Sequence, residues 1–211
     1  MFAAGIALIF AAAQIDLSQV KDPRDAVPIP WKDPGYNKFL WLQTPNFGPR
    51  PAGTVVDTVV IHSTVIPTLE RTTAAFLRES SQVSAHFTIG KDGSYIMHLS
   101  TFDRAWHAGK SNDAAGRDNV NNYSIGIELV NLNDGKDPYP PEQVQVLKNI
   151  INGLKRRFPL TQLVSHEFIS IPAGRKSDPK GFPWEKLKDI GLPMYYGENP
   201  KNKADGNKAG G

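Results

Sequence analysis

The pattern of apolar and polar positions predicts strands and helices that alternate along most of the chain. Residues 54–64, "TVVDTVVIHST", are rich in apolar and β-branched residues, which fall on both faces of a predicted strand. This pattern is typical of a strand that is covered on both faces. The stretch "TLERTTAAFLRES" predicts a helix with Thr68 as its N-cap. The stretch "SAHFTIGKDGSYIMHLS" predicts a β-hairpin, because two β-rich runs flank an Asp-Gly turn.

The second half of the chain continues the alternation after a long polar segment. Residues 101–122 are polar and Gly-rich, and a loop of that length in a compact domain is usually functional. The run "YSIGIELV" predicts a strand on which Glu128 shares a face with the small residues Ser124 and Gly126. Residues 140–158 follow a 3.6-residue apolar period and predict the clearest helix. The run "QLVSHEFI" predicts a short strand that contains His166, and "PWEKLKDI" predicts a brief final helix.

This order of elements predicts an α/β fold with a single domain, built on a mixed, mainly central β-sheet flanked by helices. We expect the domain to occupy residues 41–195, after an irregular extension over 14–40 and before a disordered polar tail over 196–211. Residues 1–13 are apolar but too short to span a bilayer, and they resemble a secretory signal peptide. We therefore expect export, with a buried N-terminal segment or a cytoplasmic protein as the alternatives.

Charge and composition narrow the possible partners and chemistry. The net charge is +3 with no lysine or arginine block, so nucleic-acid binding has little support, whereas a cell-wall glycan is compatible. The chain has no cysteine, which excludes disulfides and thiolate catalysis and leaves nitrogen and oxygen as metal ligands. We expect a monomer with no transmembrane span.

Two histidines and an aspartate are candidate ligands of a catalytic metal. Catalytic zinc commonly has three protein ligands and one open position. His62 ends the first buried strand, His166 lies in a second apolar strand, and Asp178 follows twelve residues later on a Pro/Gly-rich loop. The spacing is weak evidence by itself, because a buried histidine is more often a hydrogen-bonded structural residue.

Glu128 and Lys176 are candidate partners of such a metal. A carboxylate on a strand face is costly to bury unless a positive charge lies close. A metal ion would supply that charge for Glu128, and an ion pair with a lysine or arginine is the alternative. Lys176 precedes Asp178 by two residues and could point into the same space, or it could be a solvated loop residue.

Six motifs in order resemble a known family. They are "TPNFGPRP", "VVIHST", "SAHFTIGKDG", "RAWHAG", "NNYSIGIELVN" and "H…PAGRKSDP", which together span roughly residues 40–190. They are similar to zinc-dependent N-acetylmuramoyl-L-alanine amidases of the amidase-2 family, which are related to peptidoglycan recognition proteins. Any one motif is weak, whereas six in register are highly specific.

The resemblance implies a mixed sheet flanked by helices, with one zinc ion in a surface cleft. By matching positions it implies that His62, His166 and Asp178 bind the zinc and that Glu128 and Lys176 are the catalytic pair. The implied reaction is hydrolysis of the amide bond between N-acetylmuramic acid and L-alanine of the peptidoglycan stem peptide, in cell-wall degradation, remodelling or recycling. Ala85 stands where some relatives have a catalytic tyrosine, so Glu128 is expected to act instead.

The resemblance also suggests residues that bind the peptidoglycan or muropeptide substrate. Trp106 and His107 fall where the family lines its cleft, and the Trp106 ring suits stacking on a sugar. Arg104 and Arg117 are hypothesised to hold a peptide carboxylate. His86 is interpreted as a structural residue and His98 as ordinary packing. The alternative function is a non-catalytic peptidoglycan-recognition module, which keeps the cleft without the hydrolysis.

Overall fold

The structure, a computed structural model, describes residues 39–202. Its strands and α-helices are β1 (Phe39–Trp41), β2 (Phe47–Gly48), β3 (Thr58–Ser63), α1 (Leu69–Leu77), β4 (Phe87–Ile89), β5 (Tyr95–Met97), β6 (Arg104–Ala105), β7 (Ser124–Leu129), α2 (Pro141–Arg157), β8 (Gln162–Ser165), α3 (His166–Ile169) and β9 (Met194–Tyr195). Short 3₁₀-helices occupy Glu79–Ser81, Val120–Asn122, Trp184–Ile190 and Pro200–Asn202.

The larger sheet has seven strands in the order β1-β5-β4-β7-β3-β8-β9. Only the β4–β5 hairpin pair is antiparallel within it, and every other neighbouring pair is parallel. β2 and β6 form a separate antiparallel pair. The predicted fold class, a mixed central sheet flanked by helices in a single domain, is confirmed.

Different parts of the chain cover the two faces of the central strands. All six residues of β3 are buried, as its two-sided apolar pattern predicts. On one face Val59 and Ile61 pack in a cluster with β7, α2 and the 3₁₀-helix 184–190. On the other face Val60 packs against the loop 101–122 and α3, in a cluster of Val60, Ala108, Val120, Tyr123, Val164 and Ile169. The long loop therefore covers this face of the sheet. His62 lies two residues after Val60, so its side chain points toward the loop.

Several predicted elements are confirmed near their expected bounds. The Thr68 side chain caps α1 by accepting a hydrogen bond of 3.2 Å from the Arg71 N–H. The β4–β5 hairpin pairs Phe87 with Met97, and its turn uses Gly93 at φ +80, a conformation that glycine adopts without strain. α2 spans 17 residues and carries Lys155, Arg156 and Arg157 in its last turn, where they face the negative end of the helix dipole.

The prediction that His166 lies inside a strand is wrong. β8 ends at Ser165, whose Oγ accepts a hydrogen bond of 3.0 Å from the Phe168 N–H and caps α3. His166 is the first residue of α3. A serine followed by an acidic residue is a helix-start pattern, and here it outweighs the apolar run.

The predicted boundaries of the domain are also too narrow. Strand β1 includes residues 39 and 40, which we expected to be irregular. At the other end Asn202 is buried, and its amide donates to the Ser170 carbonyl at 3.1 Å. The expected disorder is therefore wrong for the residues up to Asn202, because this segment finds backbone partners beside α3.

The predicted signal peptide, most of the extension and residues 203–211 lie outside the described residues. Among the described helices, none is long and apolar enough to cross a membrane.

A charged network anchors the loop 101–122 to the start of β3. The Arg117 guanidinium donates to Asp57 at 2.7 and 3.1 Å and to Asp113 at 2.7 Å. Burial raises the pKa of Asp113, but hydrogen bonds from the Arg117 backbone and side chain and from Gln162 outweigh burial and hold this pKa below its ordinary value. The folded state therefore favours ionised Asp113.

We predict that Asp113→Asn lowers the free energy of unfolding by about 1–3 kcal/mol at pH 7, because it removes a carboxylate that accepts charged hydrogen bonds. The folded-state pKa of Asp113 is depressed, so its contribution is present above the unfolded-state pKa of about 3.9 and is lost as the pH falls below it. Urea unfolding at pH 7 and near pH 3 should show the difference between variant and wild type shrink at acid pH. Asp118→Asn, on an exposed residue of the same loop, is the control and should change little. An equal loss at both pH values would contradict the role of the charge.

Candidate metal centre and cleft

Parallel strand pairing brings the candidate metal ligands together. The β3–β7 register sets His62 opposite Glu128, and the β3–β8 register sets Ile61 opposite Ser165, the residue before His166. His62, Glu128 and His166 therefore lie at or just beyond the carboxyl ends of adjacent parallel strands. This is the edge at which α/β sheets usually carry their sites.

The loop that follows α3 delivers Asp178 to the same edge. The Glu167 N–H donates to the Asp178 carbonyl at 2.9 Å, which folds the loop back onto the first turn of α3. Arg175 braces this return, since its guanidinium donates to the carbonyls of Ala108 at 3.1 Å and Lys110 at 2.9 Å. Sequence reasoning missed Arg175, because nothing in its local pattern separates it from the other basic residues of that loop.

The three side chains have the geometry of a small tetrahedral ligand set. Asp178 Oδ2 lies 3.1 Å from His166 Nδ1 and 3.3 Å from His62 Nδ1. One ligand atom from each residue lies within 4.8 Å of the others. Zinc bonds of about 2.0–2.1 Å give a tetrahedron with edges of about 3.3–3.4 Å. The donors and their spacing therefore fit a zinc ion, and the donor set suits nitrogen- and oxygen-binding divalent metals.

Burial shifts the pKa values of His62 and Glu128 in opposite directions, each toward its uncharged form. Burial, with a contribution from nearby His166, lowers the pKa of His62 to about 4, so its imidazole is neutral at pH 7 and able to bind a metal. Burial also raises the pKa of Glu128 well above its ordinary value; the Asp178 carboxylate adds to this rise and Lys176 opposes it.

Glu128 is placed to act beside the metal ligands. Its Oε1 lies 4.0 Å from His62 Nδ1. Its Oε2 is buried and has no hydrogen-bond partner among residues 39–202. Within the same residues no lysine or arginine forms an ion pair with Glu128, so the structure favours the metal interpretation over the ion-pair alternative.

A cleft of about 210 Å³ is lined by Glu128, His166 and Asp178. Lys176, Trp106 and His107 also line it. Its far wall comes from α1 and the segment before it, with Val65, Ile66, Thr72, Ala75 and Phe76 in the lining. The cleft therefore joins a polar floor at the candidate metal site to a largely apolar wall.

The structure does not bring Arg104 or Arg117 into this cleft lining. Arg104 lies on β6 and donates to Asn122 Oδ1 at 3.1 Å. Arg117 is held by Asp57, which precedes β3, whereas His62 is near the other end of that strand, about 16 Å away at 3.3 Å per residue. The hypothesis that these arginines hold a substrate carboxylate therefore has no geometric support, and both have structural partners instead.

The remaining histidines have distinct surroundings. His86 Nδ1 accepts from the Gly126 N–H at 3.0 Å, and His98 Nε2 lies 3.0 Å from Thr88 Oγ1. Both match the structural interpretation.

His107 Nδ1 lies 3.0 Å from His62 Nε2, and its other nitrogen lies 3.1 Å from Ser124 Oγ. This contact between two histidines was not predicted, because a loop residue has no periodic relation to a strand 45 positions away.

Comparison with known proteins identifies similar sequences and folds. Residues 52–181 match the family model described as N-acetylmuramoyl-L-alanine amidase, Amidase_2. A 1,6-anhydro-N-acetylmuramyl-L-alanine amidase, AmpD, from Haemophilus influenzae is 31% identical over 69% of this chain and 88% of its own length. The AmiD amidase from E. coli, solved with anhydro-N-acetylmuramic acid-L-Ala-D-γ-Glu-L-Lys, has 26% identity and a TM-score of 0.59 over 68% of this chain and 61% of that one. The chain spans only 60% and 62% of two further curated relatives, from Rickettsia conorii and Citrobacter freundii.

We predict that the protein binds one equivalent of zinc and that Asp178→Asn weakens this binding by more than about 100-fold, because loss of an outer hydrogen-bond partner alone already costs about 10–100-fold. Calorimetric titration of metal-free protein measures the affinity. Zinc should also raise the unfolding temperature of the wild type more than that of the variant. Asp189→Asn makes the same change at an exposed carboxylate and should bind zinc like the wild type. Equal affinities for Asp178→Asn and Asp189→Asn would exclude Asp178 as a ligand.

Proposed function

The chain belongs to the N-acetylmuramoyl-L-alanine amidase family, and from this we propose that it is a hydrolase that cuts the amide bond between N-acetylmuramic acid and L-alanine of the peptidoglycan stem peptide. The observation that carries the proposal is the convergence of His62, His166 and Asp178 next to a cleft that His166, Asp178 and Glu128 line. Six sequence motifs at family-like positions support the same conclusion.

The substrate class follows from the relatives. The AmiD structure is a complex with anhydro-N-acetylmuramic acid linked to three amino acids, and the Haemophilus relative is named for 1,6-anhydro-muramyl substrates. We infer that this chain also accepts muropeptides with an anhydro-muramyl end. Nothing in the structure or the comparisons supports the expected export of the chain.

His62, His166 and Asp178 would hold one zinc ion. When bound, zinc lowers the pKa of water in its open position to about 7 and polarises the carbonyl of the scissile amide. The two neutral imidazoles and one carboxylate leave the ion a net charge of +1, so it stays a stronger Lewis acid than with a thiolate ligand. The protein contributes a buried, pre-arranged set of donors at a fixed edge of the sheet.

Glu128 would move the proton. Its carboxylate accepts a proton from the attacking water and delivers it to the nitrogen of the leaving L-alanine, so that a carboxylate on the lactyl group and a free amine result. Burial raises the pKa of Glu128, which makes its carboxylate a better base than an exposed one. A cation at the adjacent ligands would keep Glu128 ionised in spite of that burial.

Lys176 and Trp106 would position and stabilise the reacting substrate. The Lys176 ammonium lies on the exposed rim of the cleft, where it can donate to the carbonyl oxygen as negative charge develops. The Trp106 backbone is fixed by Ser84, whose Oγ accepts from the Trp106 N–H at 3.0 Å. This leaves the half-buried indole facing the cleft, where it can stack on the muramyl sugar.

Product analysis tests the function. The protein is incubated with a purified anhydro-muramyl tripeptide, and the products are weighed by mass spectrometry. We expect anhydro-N-acetylmuramic acid and a free tripeptide, with no products after treatment with a chelator and recovery on addition of zinc. Cleavage at another amide would refute the assigned bond. Binding of the muropeptide by the zinc-loaded protein without cleavage would favour the peptidoglycan-recognition alternative.

We predict that Glu128→Gln lowers kcat by about 10²–10⁴-fold, the usual contribution of a general acid–base residue. Zinc affinity should stay within a few fold of the wild type, because Glu128 is not among the ligands. Steady-state kinetics and zinc titration of the same preparation measure both. Glu142→Gln, at an exposed position in the first turn of α2, is the matched control with full activity. A variant that loses zinc and activity together would show that Glu128 acts as a ligand instead.

We predict that Lys176→Met lowers kcat by about 10²–10³-fold with a smaller effect on KM, because a donor to the developing oxyanion acts mainly in the transition state. Kinetic constants on the same muropeptide measure the split. Lys180→Met, on the same loop and also exposed, should leave both constants unchanged. A rise in KM at constant kcat would show instead that Lys176 binds the ground-state substrate.

A further inference from the structure

A chain of hydrogen bonds runs from the backbone of the loop 101–122 to the metal ligand His62. Ser124 Oγ lies 2.6 Å from the Val120 carbonyl oxygen and 3.1 Å from His107 Nε2. His107 Nδ1 then lies 3.0 Å from His62 Nε2. The other nitrogen of His62 faces Asp178 Oδ2 at 3.3 Å. All of these side chains are buried.

The direction of each bond in this chain follows from its first member. A carbonyl oxygen only accepts, so the single O–H of Ser124 donates to Val120, and Ser124 Oγ can only accept from His107. His107 Nε2 therefore carries the proton of this buried, neutral ring, and its Nδ1 has a lone pair. That lone pair accepts from His62, so His62 carries its proton on Nε2 and its Nδ1 is bare.

We propose that Ser124 and His107 are positioning residues that fix the tautomer of His62, so that its bare Nδ1 already faces the metal position before a metal arrives. The inference rests on the proposed metal site, which it deepens by naming what prepares one ligand. The established pattern for metal-binding histidines is that the second ring nitrogen donates to a fixed acceptor. Here that acceptor is another imidazole, which is itself oriented by a serine.

The opposite tautomer of His62 would harm the site. With its proton on Nδ1, His62 would donate to Asp178, and one hydrogen bond would occupy two of the three metal ligands. The Ser124–His107 chain disfavours this closed arrangement, because it would leave two bare nitrogens, His107 Nδ1 and His62 Nε2, facing each other at 3.0 Å.

Gly126 gives independent evidence that the His107 ring is built into this position. A Cβ at Gly126 would lie 2.5 Å from Cγ and 2.8 Å from Nδ1 of His107, distances that no side chain tolerates. The ring therefore lies against the backbone of β7, between Ser124 and Glu128 on the same strand face. A residue that only lined the cleft would not need a glycine behind its ring.

The tautomers can be read directly in the metal-free protein. With ¹⁵N-labelled histidine, two-bond ¹H–¹⁵N correlation spectra distinguish a protonated ring nitrogen from a bare one. We expect both His62 and His107 to carry the proton on Nε2. In Ser124→Ala, which removes the acceptor for His107, the signals of both residues should shift toward a tautomer mixture. The signals of His98, which bonds Thr88 elsewhere in the sheet, should not move. A wild-type His62 protonated on Nδ1 would overturn the proposal.

Zinc titration of the metal-free variants provides the second measurement. We expect Ser124→Ala and His107→Leu each to weaken zinc binding about 10–100-fold. His107→Asn should recover much of the affinity, because its amide oxygen can occupy the position of Nδ1 and accept from His62. Circular dichroism and urea unfolding of each metal-free variant check that the fold is retained. Affinities within about twofold of the wild type for Ser124→Ala and His107→Leu would overturn the proposal.

The two measurements separate this inference from the proposed function. A protein that fails to bind zinc or to cut muropeptides refutes the function, whereas the tautomer of His62 is still read in the metal-free state. If the protein binds zinc and cuts muropeptides while His62 is protonated on Nδ1, the proposed function stands and the positioning role of Ser124 and His107 is refuted.

Discussion

Two imidazoles and a carboxylate converge on one buried position at the edge of the sheet, and the rest of the candidate site is arranged around this contact. Asp178 Oδ2 lies 3.1 and 3.3 Å from the Nδ1 atoms of His166 and His62. These are hydrogen-bond distances away from water, so either a ring proton or a shared cation between the atoms would stabilise the contacts. The buried Oε2 of Glu128 adds a further acceptor without a described partner. The same arrangement underlies both the proposed binding of a divalent metal and the proposed hydrolysis.

The fold brings the candidate ligands together from three separate parts of the chain. Parallel pairing of β3 with β7 and β8 sets the spacing of His62, Glu128 and His166, and the return of the chain after α3 adds Asp178. One sheet face is covered by α2, but the other is covered by the irregular loop 101–122. That loop packs against the sheet face that bears His62. It can therefore hold His107 in contact with His62 and still leave a cleft at the strand ends.

Much of this arrangement could be predicted from the sequence, and the failures have physical reasons. The two-sided apolar pattern of β3 and the small neighbours of Glu128 located two strands correctly, and six motifs in register implied the ligand set. The placement of His166 in a strand failed because a serine cap ended β8 one residue earlier. The surroundings of Arg117 could not be predicted, because residue type does not show which way a side chain in an irregular loop points, or that two aspartates bind its guanidinium. The contact between His107 and His62 lies beyond any periodic pattern, although the glycine at 126 was a sign that something approaches β7 closely.

Diffraction data from crystals of the zinc-loaded protein, collected on both sides of the zinc absorption edge, would locate the cation without reference to activity. We predict a single anomalous peak within about 2.0–2.2 Å of one atom each from His62, His166 and Asp178, with Glu128 nearby but not bonded to the ion. A peak elsewhere in the molecule, or none at this position in a fully loaded protein, would contradict the proposal that these three side chains share one metal ion, and the hydrolytic mechanism would fall with it.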